Sequence, residues 1–214
     1  MYQPTDTILL RLQGERPSMA HLQNRIASAS LSDSLRLRLE RFAWCNAADL
    51  GYLYLKLEAA LAMDAGAVES IADAIRQGSE GLSVAGSRLS LMQDLAGASA
   101  GHEATMHYVV EMTPEAGWEL ELQNWYLREH LPGLAGVTGC VRASRYWNLD
   151  SGAASLACYD LVADSVLGSP QWLAVRRTPW SDRVRPRFMN PSRTMFNLES
   201  IQRSGTGGAP SAWS

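Results

Sequence analysis

Apolar residues recur in this chain at two periods, and the order in which those periods follow one another constrains the fold more than any other feature. Thr7 to Gln13 is a short apolar run closed by Gly14 and reads as a strand. Pro17 to Ala29 places Met19, Leu22 and Ile26 at the three- and four-residue spacing of a helix. Leu35-Arg-Leu-Arg-Leu-Glu-Arg-Phe42 alternates as a strand does. A helix starting at Ser32 or Asp33 remains the alternative for residues 32–45, because Leu31, Leu35, Leu39 and Phe42 also share a helical face. Tyr52-Leu-Tyr-Leu-Lys-Leu-Glu58 alternates strictly, so it is a strand. Asp64 then caps a helix carrying Val68, Ile71, Ala72 and Ile75 that ends at Gly78, and Arg88 to Leu95 is a further strand. The order is β-α-β-β-α-β.

The second half repeats it. Thr105 to Met112 is a strand, Pro114 to Leu134 contains a long helix, and Val141 to Asn148 and Ser155 to Val162 are strands joined by the turn Asp150-Ser-Gly152. Residues 166–177 give a short helix and Thr194 to Ile201 a last strand. An internal match supports the repeat: Arg38-x-x-Arg41-Phe42 lies over Arg142-x-x-Arg145-Tyr146 at an offset of 104. Leu53-Tyr-Leu-Lys-Leu57 lies over Ala157-Cys-Tyr-Asp-Leu161 at the same offset, whereas the first strands align only near 98. A ferredoxin-like sheet has helices on one face and leaves the other bare. The expected fold class is therefore α+β, two tandem ferredoxin-like βαββαβ units packing sheet to sheet into an α+β barrel. The units span 1–98 and 104–203, with Ala96 to Ala104 connecting them. Residues 204–214 are Gly/Ser-rich, and the last four resemble the lead-in to a streptavidin-binding affinity tag. The whole segment is set aside as a tag remnant, Trp213 included.

Composition narrows the partners. Nineteen basic against 22 acidic residues give a formal net charge of −3, with no basic run, which argues against nucleic acid. Apolar stretches are too short to cross a bilayer and Met1-Tyr2-Gln3-Pro4 lacks a signal pattern, so no membrane partner and a cytoplasmic location are expected. Cys45, Cys140 and Cys158 are far apart without a C-x-x-C pair and read as small buried hydrophobes. Metal-ligand and nucleotide motifs are missing, so the expected cofactor and metal content is none.

The segment richest in chemistry is Leu122-Gln-Asn-Trp-Tyr-Leu-Arg-Glu-His-Leu-Pro132. At about 100° per residue, Leu122, Trp125, Tyr126, Glu129 and His130 fall within an arc of roughly 140°. The aromatic residues mark that arc as the buried face, and Pro132-Gly133 are expected to stop the helix just beyond His130. A histidine at a helix C-terminus can simply bond the last carbonyls. Its aromatic neighbours, able to line a cavity, favour a general acid or base acting beside a carbonyl or phenol. In Arg176-Arg-Thr-Pro-Trp-Ser-Asp-Arg-Val-Arg-Pro186, Thr178-Pro-Trp180 reads as a loop setting an aromatic beside Arg183 and Arg185. Such arginines could grip a carboxylate or phenolate, while Arg176, Arg177 and Arg187 read as surface ion-pair residues. Tyr108 alternates with His107 and Glu111, and the pattern leaves open which set faces the site. His107 and Glu111 need partners or a polar cavity. Tyr108, Tyr146 and Tyr159 are candidate donors to a substrate oxygen, and His21 and His102 look incidental.

Trp125-Tyr-x-x-Glu-His130, with Pro132, Gly139, Arg142-x-x-Arg145-Tyr146, Tyr159 and Thr178-Pro-Trp180, resembles the EthD-like branch of the dimeric α+β barrel superfamily over about residues 105–200. The resemblance implies small ferredoxin-like units paired into a barrel. It also implies cofactor-independent isomerase, cyclase, lyase or monooxygenase chemistry on aromatic or lactone substrates, with haem in some members. His130 is the residue it singles out. The first half reads His21-Leu-Gln-Asn-Arg-Ile-Ala at the matching helix and lacks the motif, so one pocket per chain is expected. The expected activity is that of a cofactor-independent isomerase or lyase moving a proton on a small aromatic or unsaturated acid in catabolism. His130, Glu129 and Tyr108 would be catalytic; Trp125, Tyr126, Tyr146, Tyr159, Trp180 and Arg183 would bind substrate. A non-catalytic ligand-binding module and a cofactor-free monooxygenase are the alternatives. The partner is then a small aromatic molecule, with a homodimer of tandem units allowed for.

Overall fold

Eight antiparallel strands close on themselves in the order β1-β3-β2-β8-β5-β7-β6-β4. The computed structural model describes residues 4–29 and 36–201. The first half consists of β1 (Thr5–Gln13), α1 (Met19–Ala29), β2 (Leu37–Cys45), β3 (Leu50–Leu61), α2 (Ala65–Arg76) and β4 (Ser83–Ala96). In the second half β5 (Met106–Pro114) precedes a helical stretch from Glu119 to Ala135, which divides into α3 (Glu119–Trp125), a wide turn (Tyr126–His130) and α4 (Leu131–Ala135). β6 (Cys140–Asn148), β7 (Ser155–Leu161), α5 (Pro170–Val175), α6 (Pro179–Val184) and β8 (Phe188–Leu198) complete it. Each half has the ferredoxin-like strand order, and the fold is an α+β barrel.

The two sheets pack face to face across the lumen, as expected, and are also joined along their edges. β4 pairs with β6 from Leu89↔Asn148 to Ala96↔Arg142, whereas β2 pairs with β8 over the shorter stretch Ala43↔Leu198 and Trp44↔Asn197, with Glu199 N donating to the Phe42 carbonyl just beyond it. Closure pairs the sheet edges and leaves one shared lumen. Period-2 alternation then sorts side chains into two kinds of core. Ile8, Leu10, Leu53 and Leu55 pack under α1 and α2, and Met112, Ala157, Tyr159 and Leu161 pack under the helices of the second half. Leu9, Tyr52, Tyr54, Val109, Tyr146, Cys158 and Phe196 fill the lumen.

β2 shows how pairing decides a sequence that fits two periods. It is a strand, stitched to β3 from Leu37↔Leu57 to Cys45↔Leu50, and a bulge between Leu39 and Arg41 reverses its phase. Phe42 and Trp44 therefore join the helix-side core while Ala43 turns to the lumen. The alternative helix start at Ser32 or Asp33 lies outside the described residues, as does the segment 204–214.

The lumen holds charge as well as rings. Arg41 Nη2 donates to Asp160 Oδ2 at 2.6 Å; His107 Nδ1 lies 2.7 Å from Asp160 Oδ1 and its Nε2 3.0 Å from the Tyr54 hydroxyl. Arg11 Nη2 donates to Glu111 Oε1 and Tyr52 OH to Glu111 Oε2, each at 2.7 Å. His107 and Glu111 thus obtain the partners that buried polar groups require.

The internal match survives only in part. Tyr54 and Cys158, equivalent at the offset of 104, both point into the lumen, with the hydroxyl 3.6 Å from the sulfur. Arg41 and Arg145 do not correspond: Arg41 pairs with Asp160 in the lumen, and Arg145 lies against Tyr126 on the helix side.

Three local expectations change. Thr178-Pro-Trp180 opens α6 instead of a loop, because Thr178 Oγ1 accepts from Ser181 N at 3.0 Å and Pro179 takes the first helical position. The helix expected at 166–177 divides into a tight 3-10 turn, Asp164–Gly168, and α5, whose cap Ser169 accepts from Trp172 N at 3.2 Å. The long helix continues past Pro132-Gly133 to Ala135. No helix among the described residues is long and apolar enough to cross a membrane.

Candidate functional site

The turn from Tyr126 to His130 is wider than an α-turn: Leu131 N–H reaches back five residues to the Tyr126 carbonyl. Pro132 follows directly. It has no N–H to give the Arg128 carbonyl, and the wide turn absorbs that missing bond while the helix runs on. Widening brings residues five apart into line. The Trp125 and His130 rings stack with centroids 4.0 Å apart and planes 18° apart, and Tyr126 stands edge-on to His130 at 5.5 Å.

His130 is 7% exposed. Its Nδ1 is fully buried with no hydrogen-bond partner. Burial, and then the positive charges of Arg185 and Arg176, push its pKa down to about 3. The imidazole is therefore neutral at pH 7, with a lone pair free to take a proton.

His130 lines a small cavity between the helices and the half-sheet, together with Tyr108, Trp125, Tyr126, Tyr159 and Trp172. Its free volume of about 30 Å³ has room for about two water molecules. Trp125 Nε1 and Trp172 Nε1 are buried donors without acceptors, so three residues of this wall carry unmet hydrogen-bonding capacity. Arg176, Arg185 and Arg193 lie at the same cavity. Arg185 Nη1 donates to the Arg176 carbonyl at 3.2 Å. Among the described residues none of the three forms an ion pair, unlike Arg183 with Glu121 or Arg187 with Glu115. Burial and the charges of Arg176 and Arg193 lower the Arg185 pKa. Asp182 opposes the shift of Arg185 only weakly, and converging cations without ion-pair partners make a ready anion site.

The structure brings together His130, Trp125, Tyr126, Tyr108 and Tyr159 from the sequence-predicted set. It does not bring in the others. Glu129 Oε1 accepts from Thr178 Oγ1 at 2.6 Å, tying the helical stretch to the cap of α6 without touching His130. Trp180 Nε1 and Arg183 both bond Glu121 at the surface. Tyr146 faces the lumen. Sequence reasoning missed Arg176, Arg193, Trp172 and Phe188 as cavity residues. Arg176 stands one helical turn after buried Trp172, the i, i+4 spacing that carries it to the same side. Arg193 shares its strand face with Met195, opposite Val110 and Tyr108 on β5.

In the first half Leu22, Ile26, Ile71 and Ile75, carried by α1 and α2, are buried in an apolar core. A tetrapyrrole, which the resemblance allows for, does not fit a cavity of about 30 Å³ whose candidate ligand is already stacked on Trp125. Among the described residues no group of three or more His, Cys, Asp or Glu could hold a metal ion.

No family model matches the sequence, and no curated protein does. Solved structures do match. Chlorite dismutase from Candidatus Nitrospira defluvii, in complex with imidazole, aligns with a TM-score of 0.60 at 8% identity over 94% of this chain and 93% of that one. An anthrone oxidase-like protein aligns at 0.56 and 11% identity over 92% of both chains. A presumed monooxygenase from Lactobacillus acidophilus aligns at 0.54 and 8% identity over 91% of this chain and 93% of that one. At such identities the likeness is one of fold, and it agrees with the α+β barrel of this chain.

Proposed function

We propose that this protein is a cofactor-independent enzyme that removes a proton from a small aromatic or unsaturated acid, with His130 as the base. One observation carries the reading: a buried neutral imidazole with an unpartnered nitrogen shares a cavity with three arginines that have no carboxylate partners. An anionic head group at Arg176, Arg185 and Arg193 would neutralise the charges that, with burial, keep His130 a weak base. Substrate binding would therefore raise the basicity of the group that attacks it. Tyr108, Tyr126 and Tyr159 offer hydroxyls to the oxygen that gains charge. A ring-sized substrate needs more space than the cavity holds, and half-buried Phe188 and Arg185 form the wall that would give way.

Returning the proton to another carbon makes the enzyme an isomerase, and expelling a leaving group makes it a lyase. The names of two structural neighbours, anthrone oxidase-like and monooxygenase, favour a second reading in which the deprotonated substrate gives its electrons to oxygen. A panel of hydroxyaromatic and unsaturated acids incubated in D2O, under air and under argon, separates these readings. Deuterium uptake or turnover independent of oxygen supports the isomerase or lyase, and oxygen-dependent turnover supports the monooxygenase. Retention of activity within about tenfold by His130→Asn would remove His130 from the mechanism.

A further inference from the structure

We propose that Tyr126 is a second proton-handling residue of this cavity and that Arg145, lying behind it, is a positioning residue that readies its phenol to donate. The inference rests on the reading of His130 as the base and supplies the acid that such chemistry needs.

Arg145, on β6, is 2% exposed and has no carboxylate partner among the described residues. Its Nε donates to Ser155 Oγ at 3.2 Å, and its Nη2 is buried without a partner. The guanidinium carbon lies 4.6 Å from the Tyr126 ring centroid and 6.0 Å from that of Trp147. A buried cation without a counter-charge is costly unless something nearby can become negative. The groups beside Arg145 able to do so are the phenols of Tyr126 and Tyr159. Tyr126 is the one the guanidinium covers, and it also lines the cavity, with its ring 5.5 Å from His130. Among the described residues its hydroxyl has no hydrogen-bond partner. Burial pushes the phenol up to about 12, Arg145 is the chief influence pulling it down, and Tyr108, Arg193 and Cys158 act more weakly. Neutral His130 adds no opposing charge. Tyr126 thus holds its proton at neutral pH yet has a cation waiting for the charge it would acquire.

The step balances. His130 takes the proton of a C–H bond next to a carbonyl; the C–H electron pair becomes a C=C bond and the carbonyl π pair moves onto oxygen. Tyr126 donates its O–H to that oxygen. Full transfer leaves an enol, an imidazolium and a tyrosinate facing Arg145. Return of the enol proton to Tyr126 and of the imidazolium proton to a different carbon completes an isomerisation, with no external oxidant or reductant.

The test uses the whole protein labelled with [13Cζ]tyrosine, with the Tyr126 signal assigned by its loss in Tyr126→Phe. Arg145→Met should move the Tyr126 titration at least one pH unit upward, or beyond the range in which the protein stays folded, and Arg145→Lys should largely restore it. An unchanged Tyr126 titration in Arg145→Met, or in the neutral Arg145→Gln should the methionine variant not fold, overturns the proposal. In a second arm 4-nitrophenolate serves as the oxyanion probe. Tyr126→Phe should weaken its binding roughly tenfold or more, as expected for a lost hydrogen bond to a charged oxygen. Equal binding by wild type and Tyr126→Phe overturns the donor role alone. Failure of wild type to bind the probe overturns the anion-cavity reading, and with it the substrate role of Tyr126.

Discussion

Replacing His130 by Asn removes a group that the fold keeps neutral far below the pH at which a free imidazole charges. The sign follows from linkage. The folded pKa is about 3 and the ordinary value 6.5, so between those limits the unfolded chain binds a proton that the folded chain refuses. Stability contributed by neutral His130 is complete above the upper limit and falls with pH below it, by about 1.4 kcal/mol per pH unit for one proton. His107, also lowered by burial and then by Arg41, adds its own loss in the same direction. Asp160, depressed to about 2, contributes stability that is lost only as pH falls below its ordinary 3.8. Between about pH 6 and about pH 4.5 the wild type should therefore lose about 2 kcal/mol more than His130→Asn, which keeps only the His107 share. Urea unfolding followed by tryptophan fluorescence at several pH values measures this. Comparing slopes cancels any pH-independent packing cost of the asparagine. Parallel pH profiles for the two proteins would refute the buried neutral imidazole.

Other perturbations read other parts of the structure. Asp160→Ala strips Arg41 and His107 of their shared partner in the lumen, and should cost about 3–5 kcal/mol in urea unfolding at neutral pH. Arg183→Ala breaks an exposed pair with Glu121 and a surface contact over the Trp180 ring, so the urea midpoint should hardly move and anion binding not at all. Arg176→Ala should weaken benzoate binding about tenfold or more, read by calorimetry. Gly97→Ala would put a Cβ 2.1 Å from the Cys140 carbonyl oxygen, where the connector bonds to Val141. Its unfolding free energy should drop by more than about 1 kcal/mol.

Element order was legible because period 2 and period 3.6 leave different marks, and Tyr52–Glu58 carries the first without ambiguity. The barrel was legible from the bare sheet faces, but the edge pairing was not: alternation tells which residues share a face, not which strand edges of the two halves pair to close it. The bulge after Leu39 is the same kind of gap, since a one-residue phase shift depends on pairing with β3. At the site, His130, Trp125 and Tyr126 were found because the aromatic arc is wide. The stacking of Trp125 on His130 could not be foreseen, because an α-helical wheel puts residues five apart at opposite edges of that arc, about 140° from each other. Glu129 was misplaced for the same reason, as the wide turn sends it to Thr178. Arg183 and Arg176 exchanged roles because α6, expected as a loop, directs its arginine to Glu121, while α5 carries Arg176 beside Trp172 toward the cavity.

The central claim is that the arginine rim and His130 form one site. Nitrogen-15 NMR of the histidine side chains, with and without saturating benzoate, tests it most directly. Benzoate should raise the His130 pKa in the wild type and leave it unmoved in the double variant Arg176→Ala, Arg185→Ala, whose His130 already titrates higher. A His130 signal indifferent to benzoate in the wild type, or still responsive in the double variant, would contradict that claim.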